Sequence, residues 1–399
     1  MNIPFKAYGK ELVRIAGEAE FLALHDGDKV VKAYFISRAP VRGFESLVIG
    51  KNPIFVVEAV MRICGVCHAA HGIASAEAFE HALGLLPSRH GLLLREAIGL
   101  VNRLQSHILH TILISQDILR PELQGKMVRM LLSLLEKVNS IMLKLGSAVT
   151  HPPAIVIGGI SRPPTEASFK EAQRILVEVA KSVSELRDSV LNEDNMNEHI
   201  KVLKKIRAPE NFIASHLFYG DRYNISLDKV TVKHYSEYKP MEDDVDREVA
   251  KKTTTLIALY DGKKVEVGPR ARLSIYRRFN AKSLFDVQVA RIKEIELITF
   301  RLSELMDIID ISAPLRSGQI VFREGEGVGV YEAPRGLLIH KVALDNEGRV
   351  RKYRIITPTM FNVPIIESTS LGVPISIVEV IPRLYDPCIP CTTHLIKLK

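Results

Sequence analysis

The four cysteines of this chain form two matched pairs near its two ends, and that arrangement constrains the fold more than any other feature. Cys64 and Cys67 stand in "RICGVCHAAH", and Cys388 and Cys391 stand in "DPCIPCTTH". Residues 68 to 387, 320 in all, lie between the pairs. Thiolates are soft ligands that favour zinc, iron–sulfur clusters, nickel or copper(I), and two C-x2-C pairs supply four sulfurs to one site. Pairs that hold structural zinc usually lie about 15–20 residues apart. The entropy of closing a longer loop rises only slowly with its length, so one shared site is within reach. Such a site joins the two ends of a finished body, which suits a buried catalytic centre better than a small zinc knuckle. Structural zinc, two separate redox pairs and inert buried thiols are the competing readings of the same pattern.

The rest of the composition is that of an ordinary globular protein. Hydrophobic residues make up 47% of the 399 positions, enough for a sizeable core. No stretch reaches eighteen uninterrupted apolar residues, and "MNIPFKAYGKELVRIAGEAEF" lacks the apolar core of a signal peptide. The expected location is cytoplasmic, where thiols stay reduced and C-x2-C pairs bind metal or do redox work. The formal charge of +8 does not point to nucleic acid, because the basic residues are scattered and acidic ones interrupt them, as in "MEDDVDREVAKK". A basic face would suit an acidic partner subunit.

Hydrophobic spacing predicts a mainly α body with β-rich segments near both ends, in a single domain over 1–399. Residues 11–37 read as a hairpin around "HDGDK", and 40–53 as a loop and short helix. A helix follows Cys67 and ends at Gly84. Residues 88–119 carry apolar positions at spacings of three and four, with Ser88 as N-cap. Further helices are expected near 123–147, 164–191 and 284–310, with mixed short strands and turns over 208–280. "GVGVYEAPRGLLIHKVALDNEGRVRKYRIITPTMFN" reads as a meander with "DNEG" as a turn.

At this level of detail the chain resembles the large subunits of nickel–iron hydrogenases. "RICGVCHAAH" is similar to their R-x-C-G-x-C-x3-H signature and "DPCIPCTTH" to their closing D-P-C-x2-C-x2-H signature. "PVRGFE", "QSHILH", "EAPRGLLIH" and "TPTMFN" follow in the family's order, so the likeness spans nearly the whole chain. It is greatest to the catalytic subunits of archaeal deazaflavin-reducing hydrogenases, with cytosolic sulfhydrogenases next. The fold implied is long helices around a buried metal site.

The resemblance implies a nickel–iron centre whose iron carries carbon monoxide and two cyanides. Cys64 and Cys388 would be terminal on nickel, and Cys67 and Cys391 would bridge to iron. Arg335, flanked by Pro334, would hang its guanidinium over the open metal position, with Asp386 orienting it in a bidentate fork. Thr359 would donate a hydrogen bond to one cyanide. His71 would hydrogen-bond a bridging sulfur and so tune the metals. Glu45, His394 and a backbone carbonyl near Ile355 would hold a magnesium or iron ion. Each of these residues taken alone has a plainer reading, as a salt bridge, a cap or a core histidine. His107 and His110, spaced i, i+3 on one helix, are better explained by packing and hydrogen bonding than by ligation.

The chain also departs from the family pattern. Ala16 stands where a relay glutamate is usual, and Glu18, two residues on and on the same face of a strand, is the candidate to take the proton from Cys388 instead. Pro390 replaces a common hydroxyl residue, and Ser106 stands where many members have aspartate. The five residues after His394, "LIKLK", are short for the extension that a maturation protease removes after nickel-insertion factors have acted. With no cysteine left for iron–sulfur clusters, the resemblance implies a small iron–sulfur subunit as partner and a flavin subunit beyond it. The alternatives are a sensory or degenerate subunit of low turnover, which Ala16 motivates, and a structural zinc protein. A relative of the quinone-site subunit of respiratory complex I is disfavoured by the retained thiols.

Overall fold

The computed structural model describes residues 19–37 and 43–388, and residues 391–397 by their backbone course. The sites expected at Ala16, Glu18 and Pro390 lie outside these residues, as do the side chains of Cys391 and His394.

The two ends of the chain meet in a three-stranded sheet. Strand β1 (Ala19–His25) pairs antiparallel with β2 (Val30–Ser37), the hairpin expected around "HDGDK". Its other edge takes the C-terminal strand in parallel, with Ala19 opposite Cys391 and Leu22 opposite His394. A parallel pair needs a long crossover, and here the crossover is the rest of the protein.

That crossover is largely helical. Helix α1 (Pro53–Met61) leads into the first thiol pair, and α2 (His68–Leu83) leaves it and stops at Gly84, whose φ of 64° suits glycine. Then come α3 (Arg89–Ile118), α4 (Pro121–Gly146) and α5 (Glu166–Leu191). Ser88 caps α3 by accepting from the Gly91 amide at 3.2 Å, and Thr165 caps α5 through the Ser168 amide at 3.1 Å. Residues 208–280, expected as strands and turns, do contain a two-stranded pair, Val230–His234 with Leu256–Tyr260. They also hold three helices, the one-turn Tyr235–Tyr238, Asp244–Lys252 and α6 (Pro269–Arg277). Helix α7 (Asp286–Ile308) packs on both α3 and α5.

The expected meander is present as β3 (Gly325–Ala333), β4 (Gly336–Leu344) and β5 (Val350–Ile356), all antiparallel. One correction applies to its end. "TPTMFN" is not strand, because Thr357 caps α8 (Pro358–Ser370), with Pro358 at the first helical position. A short helix, α9 (Val380–Tyr385), then delivers the second thiol pair.

The β3 sequence "GEGVGV" fixes how α2 lies on the meander. A Cβ at Gly325, Gly327 or Gly329 would sit 2.1, 2.1 or 1.9 Å from the carbonyl oxygens of Ala82, Ala78 and Ala74. Alternate residues of a strand share a face, so this is a stripe without side chains, against which the helix backbone rests. The first thiol pair is carried at the N-terminal end of that helix.

Candidate metal centre

Three of the four sulfurs have described positions, and they converge. Cys64 Sγ lies 3.0 Å from Cys388 Sγ, and Cys67 Sγ lies 3.5 Å from it. All three fall within 4.8 Å of one another. A disulfide needs about 2.03–2.05 Å, so these are free thiols in contact. The turn between α1 and α2 shapes the first pair, with the backbone N–H groups of Val66 and Cys67 donating to Cys64 Sγ at 3.4 and 3.3 Å. Cys388 is held from the other side, where its N–H donates to Thr359 Oγ1 at 3.1 Å, near the start of α8.

The electrostatics of the cluster favour a cation. Hydrogen bonds from Cys388 and Cys67 hold the Cys64 thiol well below its ordinary range, and burial opposes them. Cys67 moves the other way, and Cys388 is pushed up to about 12, chiefly by its bond with Cys64. The shared hydrogen bonds thus favour a thiolate at Cys64 and disfavour one at Cys67 and Cys388. A second or third in so small and dry a space requires positive charge to arrive with the deprotonation, which is how metal binding couples to thiol chemistry. A soft ion fits this donor set. The backbone of Cys391 stands opposite Ala19 at the adjoining strand.

Arg335 supplies the fixed positive charge. It occupies the two-residue turn, with Pro334, between β3 and β4. Its Nη2 lies 3.0 Å from Asp386 Oδ2, and its Nε donates to the Asp386 carbonyl at 2.5 Å. Nη1 reaches Ser106 Oγ at 3.4 Å, so the position that differs from the family pattern does touch the guanidinium. Burial works against charge on Arg335, but Asp386 and the three cysteines outweigh it and strengthen its hold on the proton. Arg335 and Asp386 are only 4% and 3% exposed, so each is the other's compensation in a dry site.

Behind this pair stands a network of buried ions that sequence reading missed. Arg272, on α6, donates to the carbonyls of Ala333 and Pro334 at 3.0 and 3.1 Å, gripping the turn that carries Arg335. The same guanidinium pairs with Glu294 at 2.6 and 2.7 Å and with Glu332 at 3.0 Å. His107 Nε2 donates to Glu294 at 2.7 Å, and burial lowers that histidine to about 4, so it is neutral. Although burial raises the Glu294 carboxyl, Arg272, His107 and Arg103 together hold it well below the usual range. His107 and His110 thus act by hydrogen bonding, as expected; His110 Nε2 donates to the Arg383 carbonyl at 2.8 Å. The available sequence signal was Glu294 itself, a carboxylate on the apolar face of α7.

The remaining expected residues are placed as follows. Glu45 lies in a one-turn helix, Phe44–Leu47, where it accepts from the Ile355 amide at 2.7 Å and pairs with Arg354 at 3.2 Å. Glu45 and Ile355 are therefore neighbours, and the backbone of His394 lies in the end-joining sheet. His71 is buried one helical turn after Cys67, with its Nδ1 3.1 Å from His340 Nε2. Among the described residues it makes no hydrogen bond to a sulfur.

Comparison with known proteins gives a consistent picture. The family model described as nickel-dependent hydrogenase matches residues 42–115. The chain is 37% identical over 396 residues to the coenzyme F420 hydrogenase subunit alpha of Methanocaldococcus jannaschii, covering 96% of this chain and 92% of that one. It is 33% identical to the subunit of the same name from Methanothermobacter thermautotrophicus, covering 96% and 93%. Its fold is similar to that of the reduced, active nickel–iron–selenium hydrogenase of Desulfomicrobium baculatum, with a TM-score of 0.75 at 23% identity over 91% of this chain and 94% of that one.

Proposed function

The chain belongs to the nickel-dependent hydrogenase family as a catalytic large subunit, and from that premise we propose that Cys64, Cys67, Cys388 and Cys391 hold a nickel–iron centre. The observation that carries this is the convergence of Cys64, Cys67 and Cys388 within 4.8 Å, with the Arg335 guanidinium anchored on Asp386, two residues from Cys388. When bound, the centre supplies heterolytic cleavage of dihydrogen, and carbon monoxide and cyanide complete its iron.

The protein's part is to hold, orient and move protons. Cys64, Cys67, Cys388 and Cys391 would hold the metals, with Cys64 and Cys388 taken as terminal and Cys67 and Cys391 as bridging on the family resemblance. Arg335 would present a fixed cation to the open position of the bound centre; Asp386 sets its plane, and Pro334 and Arg272 set its backbone. The Thr359 hydroxyl accepts from Cys388 N–H, which leaves its own proton for one iron-bound cyanide. Cys388 Sγ would receive the proton that the centre's chemistry releases, and Glu18 would carry it away in place of the glutamate missing at position 16. Glu45, His394 and the Ile355 carbonyl would hold a magnesium or iron ion, tying the C-terminal strand to the body.

Electrons must leave through a partner, because the sequence has four cysteines and the centre uses all of them. The partner is a small iron–sulfur subunit, with a flavin subunit beyond it. The names of the relatives favour a deazaflavin as final acceptor over a nicotinamide or sulfur. No described helix is long and apolar enough to cross a membrane.

Elemental analysis of the native assembled protein should find nickel and iron, and its infrared spectrum should show metal-bound carbon monoxide and cyanide. Zinc in place of both metals would overturn the reading. Hydrogen-dependent reduction of a deazaflavin by the purified complex tests the acceptor. Turnover near zero, raised by Ala16→Glu, would instead favour a degenerate or sensory subunit.

A further inference from the structure

One carboxylate on α7, Glu294, joins two helices that both reach Arg335. It is 1% exposed. Its Oε2 accepts from His107 Nε2 on α3 and from Arg272 Nη2 on α6, each at 2.7 Å. Its Oε1 accepts from Arg272 Nε at 2.6 Å, with Arg103 Nη1 at 3.5 Å. Both oxygens are therefore engaged.

Arg272 has no donor to spare. A guanidinium carries five N–H groups in one rigid plane. Two go to Glu294. Two go to the carbonyls of Ala333 and Pro334, the residues just before Arg335, and one goes to Glu332. Because the plane is rigid, the fork at Glu294 fixes the direction of the protons that meet the turn. Glu332 is pinned separately, by the Ser215 amide at 2.7 Å and the Ser215 hydroxyl at 3.1 Å. The start of α6 braces the same turn, since a Cβ at Gly268 would lie 2.8 Å from the Arg335 carbonyl oxygen. The second route runs along α3. His107 follows Ser106 directly, and Ser106 Oγ lies 3.4 Å from Arg335 Nη1.

Arg103 and Arg272 balance Glu294 and Glu332, and none of the four is more than 1% exposed. A dry cluster of this kind tolerates no unpaired member. Stability alone would be served by any buried fork. Glu294 differs in that both of its close partners, Arg272 and His107, lead to the same guanidinium.

We propose that Glu294 is a positioning residue for Arg335: it aims Arg272 at the turn that carries Arg335 and anchors the helix that presents Ser106 to it. This rests on the proposed metal centre, because Arg335 is the cation that faces it. Among the described residues no hydrogen bond or ion pair joins Glu294 to Arg335 itself, so its influence passes through Arg272 and His107.

The test reads the Arg335 side chain by NMR in the metal-free full chain labelled with 15N-arginine. Arg335 Nε–H donates to the Asp386 carbonyl in a buried site, and Arg335→Lys identifies its signal. Glu294→Gln keeps the shape but offers an N–H2 group where an oxygen accepted. Hydrogen exchange at Arg335 Nε–H should quicken about tenfold or more, the size of one charge-assisted hydrogen bond. Glu294→Asp keeps the charge but is one carbon too short to serve His107 and Arg272 together. It should quicken exchange about threefold or more, and it serves if the glutamine variant fails to fold. The control is Glu80→Gln, at a buried fork whose partners are Arg95 and the Gly158 amide. It removes a comparable interaction and should leave Arg335 exchange as in wild type. Unchanged exchange in a folded Glu294 variant, or equal quickening in Glu80→Gln, overturns the proposal. In the assembled enzyme, Glu294→Gln should lower kcat about tenfold, the same factor, at unchanged nickel content. A wild-type kcat beside a loosened Arg335 would break the link to the site. Because exchange is read without metal, failure of the nickel assignment remains distinguishable from failure of the role given to Glu294.

Discussion

Replacing Arg335 with alanine should loosen the segment that carries Cys388, by an amount the structure allows to be worked out. Asp386 is 3% exposed, and it would lose an ion pair at 3.0 Å and a donor to its carbonyl. Removing one partner of a buried pair costs about 3–5 kcal/mol, because the other charge stays behind. Protonation sets a ceiling on that cost. Bringing an ordinary carboxyl from a pKa near 3.9 to neutrality at pH 7 takes roughly 3 pH units at about 1.4 kcal/mol each, or about 4 kcal/mol. At about 1.4 kcal/mol per factor of ten, local opening of residues 386–388 should become roughly 10²- to 10³-fold more frequent. Hydrogen exchange of the metal-free full chain, read by mass spectrometry on peptides spanning 380–388, measures this at the Cys388 amide. The acceleration should shrink toward pH 4, where Asp386 protonates more cheaply. Arg335→Lys keeps the charge but not the fork, and should give about a tenfold effect. Exchange within threefold of wild type in Arg335→Ala, or equal acceleration in peptides of α4, would refute the reasoning.

Three further outcomes follow from the same geometry. Gly329→Ala puts a methyl group 1.9 Å from the Ala74 carbonyl oxygen, so α2 must shift off β3. The cost should be about 1–3 kcal/mol, seen as a lower thermal midpoint and weaker nickel uptake; wild-type values for both would contradict the stripe as a spacer. Thr359→Val leaves the Cys388 N–H without its acceptor at about 1–3 kcal/mol, and its amide should exchange at least several-fold faster, with no change at α5. His68, His71 and His107 are each lowered to about 4 by burial. For a base with a depressed folded pKa, the unfolded chain binds the extra proton, so the stability is present above about 6.5 and is lost as pH falls toward 4. The thermal midpoint should therefore drop steeply between pH 6.5 and 4.5, and a flat profile there would show that these rings are not held neutral.

Several elements were legible because their physics is local. Helices Arg89–Ile118, Pro121–Gly146 and Glu166–Leu191 each keep an apolar face and solvated positions, and two of them begin at hydroxyl caps. Helix Pro358–Ser370 was not legible. It is buried nearly all round and carries Pro364 within it, so it has neither a one-sided pattern nor an uninterrupted run of helix formers. The buried charges failed for a different reason. Glu294 and Arg272 look in sequence like any solvated pair, and only packing reveals that each lies 0–1% exposed against the other.

The sequence by itself determined which residue types are present and at what spacing, and so offered two C-x2-C pairs able to share one soft-metal site, with the arginine added only through the family resemblance. Soft sulfur ligands and a planar cation have few substitutes, so their identities survive in the one-dimensional record. Tertiary structure alone decided that Cys64, Cys67 and Cys388 come within 4.8 Å of one another and that Asp386 and Ser106 both reach Arg335. Those facts depend on contacts between residues tens to hundreds of positions apart, and no local preference of the chain encodes which distant partner a side chain will meet.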